Sequence, residues 1–272
     1  MMKTKTSALA MMFSLGLGLV AHGALIAHYK LDEAVGSNTV EDAVANAGTA
    51  TRAGVPILGE SSVTAGTYGP IVVSAGTAAS FGTAAELNNP SAGNYAITGN
   101  PSVINNLINE SSGNGVGQMT VAAWINPDVI TGTHVIAAAG TGSNGWKFAI
   151  NSSKLRFTAF GVLDGTRSST DLLTNTWQYV AMTYNNGSVE YFVNGVSQGT
   201  ATVSGYKEET GADTKFGGRA GGTENFDGHM DEVKYFDTVL TAAEIQAAAI
   251  PEPSSSALLG LGALILILRR AK

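Results

Sequence analysis

The sequence predicts an all-β domain that ends in one short helix. Short apolar segments in which buried and exposed positions alternate recur between clusters of Gly, Asn, Ser and Thr, a pattern typical of strands. No segment between residues 25 and 240 keeps a helical period for long. The helix is predicted from a capping-box pattern, with Thr241 at the N-cap and Glu244 at the third helical position, and it ends before Pro251.

The clearest strands are predicted where apolar alternation is strongest. They are Ile26–Leu31, Thr120–Asn126, His134–Ala139, Trp146–Ile150, Lys154–Phe160, Trp177–Tyr184, Ser188–Val193 and Asp231–Phe236. Asn186-Gly187 and Asn194-Gly195 predict type I′ turns, because Asn and Gly adopt positive φ at low cost. The three strands around residues 177–201 should therefore form a meander. Residues 48–117 are rich in Gly, Ala, Ser, Thr and Asn, and we expect weaker strands and long loops there.

The first 23 residues have the order of a secretory signal peptide. Lys3 and Lys5 precede an apolar stretch from Ala8 to Val20, and the small residues Ala21 and Gly23 follow it. A positive start, a short apolar run and a small-residue exit are the three parts of such a peptide. We therefore expect export of the chain, with cleavage after Gly23.

The last 22 residues form a tail of three parts. These parts are Pro251-Glu252-Pro253 followed by three serines, an apolar run from Ala257 to Leu268, and a basic end that includes Arg269 and Arg270. This order resembles the PEP-CTERM sorting signal of Gram-negative bacteria, which an exosortase reads. The resemblance implies export and exosortase-type sorting machinery as partners, and a final location at the cell surface or in the extracellular matrix.

The apolar run of the tail is short for a membrane anchor. Its twelve residues span roughly 18 Å as a helix, against a hydrocarbon core of about 30 Å. We therefore expect the tail to hold the chain in the inner membrane transiently, before processing. Arg269 and Arg270 should stay cytoplasmic by the positive-inside rule, which leaves the β domain outside.

The chain thus divides into a signal peptide (1–23), one β domain (24–250) and a sorting tail (251–272). The β domain contains 10 basic and 20 acidic side chains, a net charge of −10. So negative a domain disfavours a phosphate backbone, and nucleic acid is not expected as a partner. The chain has no cysteine, which excludes disulfide bonds, a zinc–thiolate site and a thiol nucleophile.

Five stretches in chain order resemble the LamG-like, concanavalin A-type jelly roll of many bacterial surface proteins. They are Tyr29–Glu33, Val121–Pro127, Thr176–Ala181, Val189–Gly195 and Gly228–Val233. The resemblance spans about residues 25–250 and implies a two-sheet antiparallel jelly-roll sandwich whose first and last strands are adjacent. Trp124 and Trp177 lie in strands that are apolar on both sides, so we expect them in the core rather than as sugar platforms.

The resemblance also implies a structural calcium ion. In the family, acidic residues from the first strand and from the late Gly-x-x-Asp stretch often meet around calcium, and the matching positions are Asp32 and Asp231. Glu33 and Asn38 are candidate neighbours, since calcium takes six to eight oxygen ligands. The alternative is that Asp32 caps a turn while Asp231 pairs with a base such as Lys234.

Glycan binding is the first functional hypothesis, and it rests on analogy of fold. Trp146, which follows a Gly-Ser-Asn loop, is a candidate platform for stacking on a sugar, and Arg219 in a Gly-rich loop is a candidate polar rim. The alternatives are a core position for Trp146 and a solvated Arg219. A second hypothesis is a purely structural or protein-binding component of an extracellular polysaccharide matrix.

Catalysis is not expected, and a glycan hydrolase or lyase is kept as the alternative. Retaining hydrolysis needs two carboxylates about 5 Å apart. Among the clustered acids near residue 230, only Asp227 and Asp231 share a strand face, and four residues of strand hold them roughly 13 Å apart. A lyase would pair a Tyr or His base with Arg or Lys, and the Tyr191–Gly195 hairpin has no basic residue.

Overall fold

The computed structural model describes ten segments of the chain. They are residues 24–31, 39–52, 58–62, 83–86, 95–97, 101–108, 117–140, 143–203, 214–219 and 224–250. The predicted signal peptide, the predicted sorting tail, Asp32 and its candidate neighbours lie outside these residues. None of the helices in the described segments is long and apolar enough to cross a membrane.

Within these segments, sixteen strands form two antiparallel sheets of eight strands each. In chain order the strands are β1 (Leu25–Tyr29), β2 (Thr39–Val40), β3 (Ala50–Arg52), β4 (Leu58–Ser62), β5 (Thr83–Glu86), β6 (Tyr95–Ile97), β7 (Gln118–Pro127), β8 (Thr133–Gly140), β9 (Gly145–Asn151), β10 (Lys154–Ala159), β11 (Leu163–Asp164), β12 (Gln178–Asn185), β13 (Ser188–Val193), β14 (Val196–Thr202), β15 (Thr214–Phe216) and β16 (Gly228–Phe236). The helices are α1 (Ser102–Asn105), which continues into a 3-10 turn, Asn106–Ile108, and α2 (Ala242–Ala248).

Sheet A has the strand order β14-β13-β12-β7-β16-β5-β4, and β1 pairs with β16 beside this path. Sheet B has the order β11-β10-β9-β8-β15-β6-β3-β2. The predicted two-sheet antiparallel sandwich is confirmed, and so is the adjacency of the first and last strands, since His28 of β1 lies opposite Lys234 of β16.

All eight predicted strands are present, and the predicted meander is β12-β13-β14. Both Asn-Gly turns have positive φ at both residues: 46° and 90° at Asn186 and Gly187, and 51° and 73° at Asn194 and Gly195. This geometry is the one a type I′ turn requires. The sequence pattern missed β15, which has three residues, and α1, which has four.

The main core lies between the sheets and is filled by alternate residues of their strands. In the central strand β7, Val121, Ala123 and Ile125 belong to this core, whereas Ala122 and Trp124 belong to a second apolar cluster on the outer face of sheet A. Strand β7 is therefore buried on both sides, as its apolar sequence predicts. Trp177 is 4% exposed and lies in the second cluster, which confirms its core position.

Helix α2 covers the outer face of sheet A. Its capping box is present: the Thr241 hydroxyl accepts the Glu244 N–H, and the Glu244 carboxylate accepts the Thr241 N–H at 2.8 Å. The end of the helix is also fixed, because Trp124 Nε1 donates to the Ala249 carbonyl at 3.0 Å and Lys234 Nζ donates to the Ala248 carbonyl at 2.8 Å. The outer face of sheet A is thus closed around Trp124.

Candidate functional site

The outer face of sheet B carries polar side chains beside a small buried cluster of Val135, Ala138 and Ala149, whereas the outer face of sheet A is apolar. Strand β9 shows why, because Trp146, Phe148 and Ile150 point into the core while Lys147 and Asn151 point outward. The same alternation in β10 sends Arg156 and Thr158 to the outer face. Neighbouring strands therefore bring basic and amide side chains together on a face that no helix covers in the described part of the chain.

These side chains line a cleft with a volume of about 160 Å³. Its lining residues come from β8, β9, β10, β11 and the segment before β16, and they are Thr133, Lys147, Ala149, Asn151, Arg156, Thr158, Asp164 and Glu224. A volume of this size corresponds to about five water molecules at liquid density. The cleft is therefore large enough for part of a small polar ligand and too small for an extended apolar one.

Glu224 joins two cations at one end of the cleft. Lys147 Nζ donates to both of its carboxylate oxygens, at 2.8 and 3.0 Å, and Arg219 Nε lies 2.7 Å from Oε2. Both cations also lie over the Phe160 ring. The distance to the ring centroid is 5.9 Å from Lys147 Nζ and 5.7 Å from Arg219 Cζ. The Glu224 carbonyl accepts the Val135 N–H at 2.8 Å, which fixes this residue to β8.

Arg156 is held by three acceptors at the other end. Its Nε donates to the Gly165 carbonyl at 3.0 Å, its Nη1 donates to Asn151 Oδ1 at 3.3 Å, and its Nη2 lies 3.1 Å from Asp164 Oδ2. Thr158 Oγ1 donates to the second Asp164 oxygen at 2.7 Å. The guanidinium and the carboxylate are thus fixed side by side before any ligand arrives, which lowers the entropy lost on binding.

The sequence profile of the concanavalin A-like lectin/glucanases superfamily matches residues 98–246, more than half of the chain. The chain belongs to this superfamily. The assignment agrees with the LamG-like stretches of the sequence and with the two-sheet sandwich. No curated protein sequence matches the chain.

Solved structures share this concanavalin A-like fold. Domain 4 of AbnA, a GH43 extracellular arabinanase from Geobacillus stearothermophilus in complex with arabinotriose, has a TM-score of 0.57 at 22% identity, over 84% of this chain and 98% of that chain. Trypanosoma rangeli sialidase has a TM-score of 0.55 at 13% identity, over 83% of this chain and 32% of that one. Botulinum neurotoxin type C has a TM-score of 0.52 at 15% identity, over 82% and 50%. At these identities the likeness shows the fold.

Trp146 does not occupy the position that a sugar platform in this concanavalin A-like domain would need. Its side chain is fully buried, and its ring stacks on Phe157 with centroids 6.1 Å apart and planes 18° apart. The expectation of a sugar-stacking role is therefore wrong, because the alternation of β9 places Trp146 inward and its neighbour Lys147 outward. A ring in the core has no face that a sugar can reach.

Arg219 does not itself line the cleft but lies beside Glu224, which does, and its role in binding stays a prediction. Lys147, Arg156, Asp164 and Glu224 were not among the residues expected at a site. For Lys147 and Arg156 the sequence contains a usable indication, since Lys147 lies between Trp146 and Phe148, and Arg156 lies between Leu155 and Phe157. Glu224 has no such indication, because its contact with Lys147 crosses 77 positions of the chain.

Asp231 is one of the two residues at which the concanavalin A-like resemblance implies a calcium ion. It is buried beside the apolar cluster on the outer face of sheet A. Its side chain is fully buried, and Oδ1 accepts the Glu232 N–H at 2.9 Å. In the described residues, no group of three or more His, Asp or Glu side chains could hold a metal ion. A calcium ion at Asp231 would therefore need Asp32 and other ligands outside these residues, and it stays a prediction.

A buried ionic network adjoins Asp231. Glu232 Oε2 lies 2.6 Å from His28 Nε2 and 2.9 Å from Lys234 Nζ, and all three side chains are almost fully buried. Burial raises the pKa of the Glu232 carboxyl, but the hydrogen bond with His28 and the charge of Lys234 outweigh it and lower that pKa to about 2. The network joins β1 to β16 and is closed over by the end of α2.

Proposed function

We propose that this protein is an exported, non-catalytic glycan-binding protein and that it binds glycan in the cleft on the outer face of sheet B. The observation that carries the proposal is the fixed set of guanidinium, carboxylate and amide groups in that cleft. Arg156 and Lys147 offer donors, Asp164 and Glu224 offer acceptors, and Asn151 offers both. A sugar hydroxyl donates and accepts at the same time, so neighbouring hydroxyls find matching partners here.

The relatives in fold support a glycan as the ligand class. Domain 4 of the Geobacillus arabinanase was solved with arabinotriose, and cell entry of botulinum neurotoxin type C depends on interaction with two ganglioside molecules. Fold alone does not assign a function, since one fold carries many sites. The polar cleft is what connects this chain to the glycan class.

We propose a non-catalytic role because two acidic residues of the described part of the chain, Glu224 and Glu232, are poorly suited to donate a proton. Glycoside hydrolysis needs a carboxylic acid that can donate a proton to the leaving group. Glu232, with its pKa of about 2 and its burial beneath α2, stays ionised at neutral pH and is closed to substrate. Glu224 accepts hydrogen bonds from Lys147 and faces Arg219, which suits a binding carboxylate better than a proton donor.

The place of action is proposed from the two ends of the sequence. A signal peptide at residues 1–23 directs export, and the tail with Pro251-Glu252-Pro253 and its basic end directs exosortase-type sorting through the inner membrane to the surface or matrix. The ligand we expect in that setting is an extracellular polysaccharide. A purely structural or protein-binding role would not need a built polar cleft, and for that reason we favour binding.

Binding of the purified protein to immobilised polysaccharides tests the proposal. Arg156→Gln should lower the affinity for the bound polysaccharide about tenfold or more while the melting temperature stays unchanged. Arg167→Gln is the matched control, because Arg167 is exposed and does not line the cleft. Equal binding by wild type and Arg156→Gln would contradict the cleft as the site, and no binding to any glycan would contradict the function.

A further inference from the structure

Each cation that lines the cleft is already paired with a carboxylate that lines it too. Lys147 Nζ donates to both oxygens of Glu224, at 2.8 and 3.0 Å, and Arg156 Nη2 lies 3.1 Å from Asp164 Oδ2. These four side chains are the charged ones among the residues that line the cleft. The lining therefore contains two cations and two anions, and it has no net charge with which to attract an ionic ligand.

An anionic ligand would meet the two carboxylates of the cleft as well as its two cations. The ligand would have to displace Asp164 from Arg156, or Glu224 from Lys147, before it could pair with either cation. The displaced carboxylate would then lie beside a like charge, which costs free energy. A neutral hydroxyl compound leaves both ion pairs intact, so the built-in carboxylates select for a neutral ligand and against an anion.

Arg156 and Asp164 have unused hydrogen-bonding capacity side by side. The guanidinium has more N–H donors than its contacts with Gly165, Asn151 and Asp164 use. The Asp164 carboxylate accepts the Thr158 hydroxyl and faces Arg156, and its two oxygens can accept further hydrogen bonds. The exposed fraction of the side chain is 25% for Arg156 and 52% for Asp164, so a ligand can reach both.

Two adjacent hydroxyl groups of a sugar are complementary to this pair. One hydroxyl oxygen can accept from Arg156 while the neighbouring hydroxyl donates to Asp164. None of the described residues that line the cleft is aromatic, so hydrogen bonds rather than ring stacking would hold the sugar. The cleft volume of about 160 Å³ is below the roughly 300 Å³ at which sites for drug-sized ligands begin, so it fits a single sugar residue.

We propose that the cleft binds one neutral sugar residue of a polysaccharide through two adjacent hydroxyl groups, with Arg156 as the donor and Asp164 as the acceptor. This inference rests on the glycan-binding function proposed above and names the ligand class of that cleft. The ligands are neutral polysaccharides whose residues keep adjacent hydroxyl groups free. Uronate-rich and sulfated glycans are disfavoured, because their charges would meet Asp164 and Glu224.

Periodate oxidation followed by borohydride reduction of the polymer tests the hydroxyl contact, because it cleaves the bond between adjacent hydroxyl-bearing carbons and adds no charge. The probes are dextran, galactomannan, arabinan and any further neutral polysaccharide that the purified protein binds, each intact and oxidised. The protein should bind at least one intact polymer, and oxidation should lower that affinity about tenfold or more. A rise in salt from about 0.05 to about 0.5 M should change the affinity less than about twofold, because the site has no net charge.

A second comparison tests the neutrality of the site. Polygalacturonate should bind no more tightly than its neutral methyl ester. Asp164→Asn removes one anion and leaves Arg156 without its partner, so the affinity for neutral polymers should fall about tenfold, and binding of polygalacturonate should rise relative to that of the ester. Asp171→Asn is the matched control, because Asp171 is an exposed acid that pairs with Lys154 and does not line the cleft.

Each contrary outcome overturns a defined part of the inference. Unchanged binding after oxidation overturns the hydroxyl contact, and tighter binding of polygalacturonate than of its ester overturns the neutral class, while both results leave glycan binding standing. An Asp164→Asn variant that binds like wild type overturns Asp164 as the acceptor. Binding of no polysaccharide, charged or neutral, overturns the proposed function itself. Melting curves show whether a variant has lost its fold, and the oxidised polymers test the inference with the wild-type protein alone.

Discussion

Asp42 accepts the backbone N–H of His28 through Oδ1 at 2.8 Å and so joins the turn after β2 to the first strand. The same carboxylate accepts three more backbone N–H groups, from Val44, Asn46 and Ala47, at 2.8 to 3.0 Å. One buried side chain thus satisfies four backbone donors.

Asp42→Ala is therefore expected to destabilise the protein by about 3 kcal/mol, because it leaves buried N–H groups without an acceptor. Urea denaturation followed by tryptophan fluorescence measures the change. Glu41→Gln is the control, since Glu41 is exposed and its replacement should stay within about 0.5 kcal/mol of wild type. Equal stability of the two variants would show that the four hydrogen bonds contribute little.

Low pH should reduce the stability of the folded protein by protonating Glu232. Its carboxyl has a pKa of about 2 in the folded protein against 4.5 when unperturbed, so its stabilising effect is complete above about pH 4.5 and is lost as the pH falls toward 2. The size of this effect is about 3 kcal/mol. The Glu232→Gln variant should lose most of the change in unfolding free energy between pH 5 and pH 2, as measured by denaturation curves. Asp171→Asn, which replaces an exposed acid, should keep that change.

Trp177→Ala and Trp146→Ala should each cost about 3 to 5 kcal/mol. Trp177 lies in the cluster beneath α2, and Trp146 lies in the main core, so each substitution leaves a cavity. A typical domain has only about 5 to 15 kcal/mol of total stability, and both variants should therefore accumulate poorly. A stable Trp146→Ala protein that has lost glycan binding would reverse the assignment of Trp146 to the core.

Calcium removal tests the role predicted for Asp32 and Asp231. If an ion binds between them, chelator should lower the melting temperature, and free calcium at about a hundred times its dissociation constant should stabilise the fold by about 2.7 kcal/mol. Asp231→Asn should make the melting curve insensitive to chelator. An unchanged wild-type curve, together with no metal in elemental analysis, would contradict the site.

Removal of residues 269–272 tests the sorting tail. Without Arg269 and Arg270 the tail loses the charges expected to keep its end cytoplasmic, so the precursor should stay unprocessed or insert in the wrong orientation. Cell fractionation and the mass of the released protein give the readout. Normal release of the truncated chain would contradict a function for these charges.

The fold followed from local features of the sequence, and the cleft did not. Apolar alternation and Asn-Gly turns act over a few residues, so β12, β13 and the turn at Asn186 could be predicted from sequence alone. The cleft depends on register between distant strands. In β8 the register shifts between Val135 and Ala137, and such an irregularity decides which side chains share a face.

Trp146 shows the same limit at one residue. Its neighbours in sequence are a glycine and a lysine, a setting that suits an exposed loop end. Its environment is set instead by β10, where Ala159 lies opposite it and Phe157 packs on its ring. Whether Trp146 faces the core or the surface depends on which side of the pleated strand it occupies. A short apolar run in the sequence does not reveal that side.

The fixed end of α2 determines how the domain carries mechanical load. Tension on the chain after residue 250 passes through the hydrogen bonds of Ala248 and Ala249 to Lys234 and Trp124, which belong to β16 and β7 of sheet A. Those strands pair with each other in the middle of that sheet. A pull at this end therefore loads the middle of sheet A first.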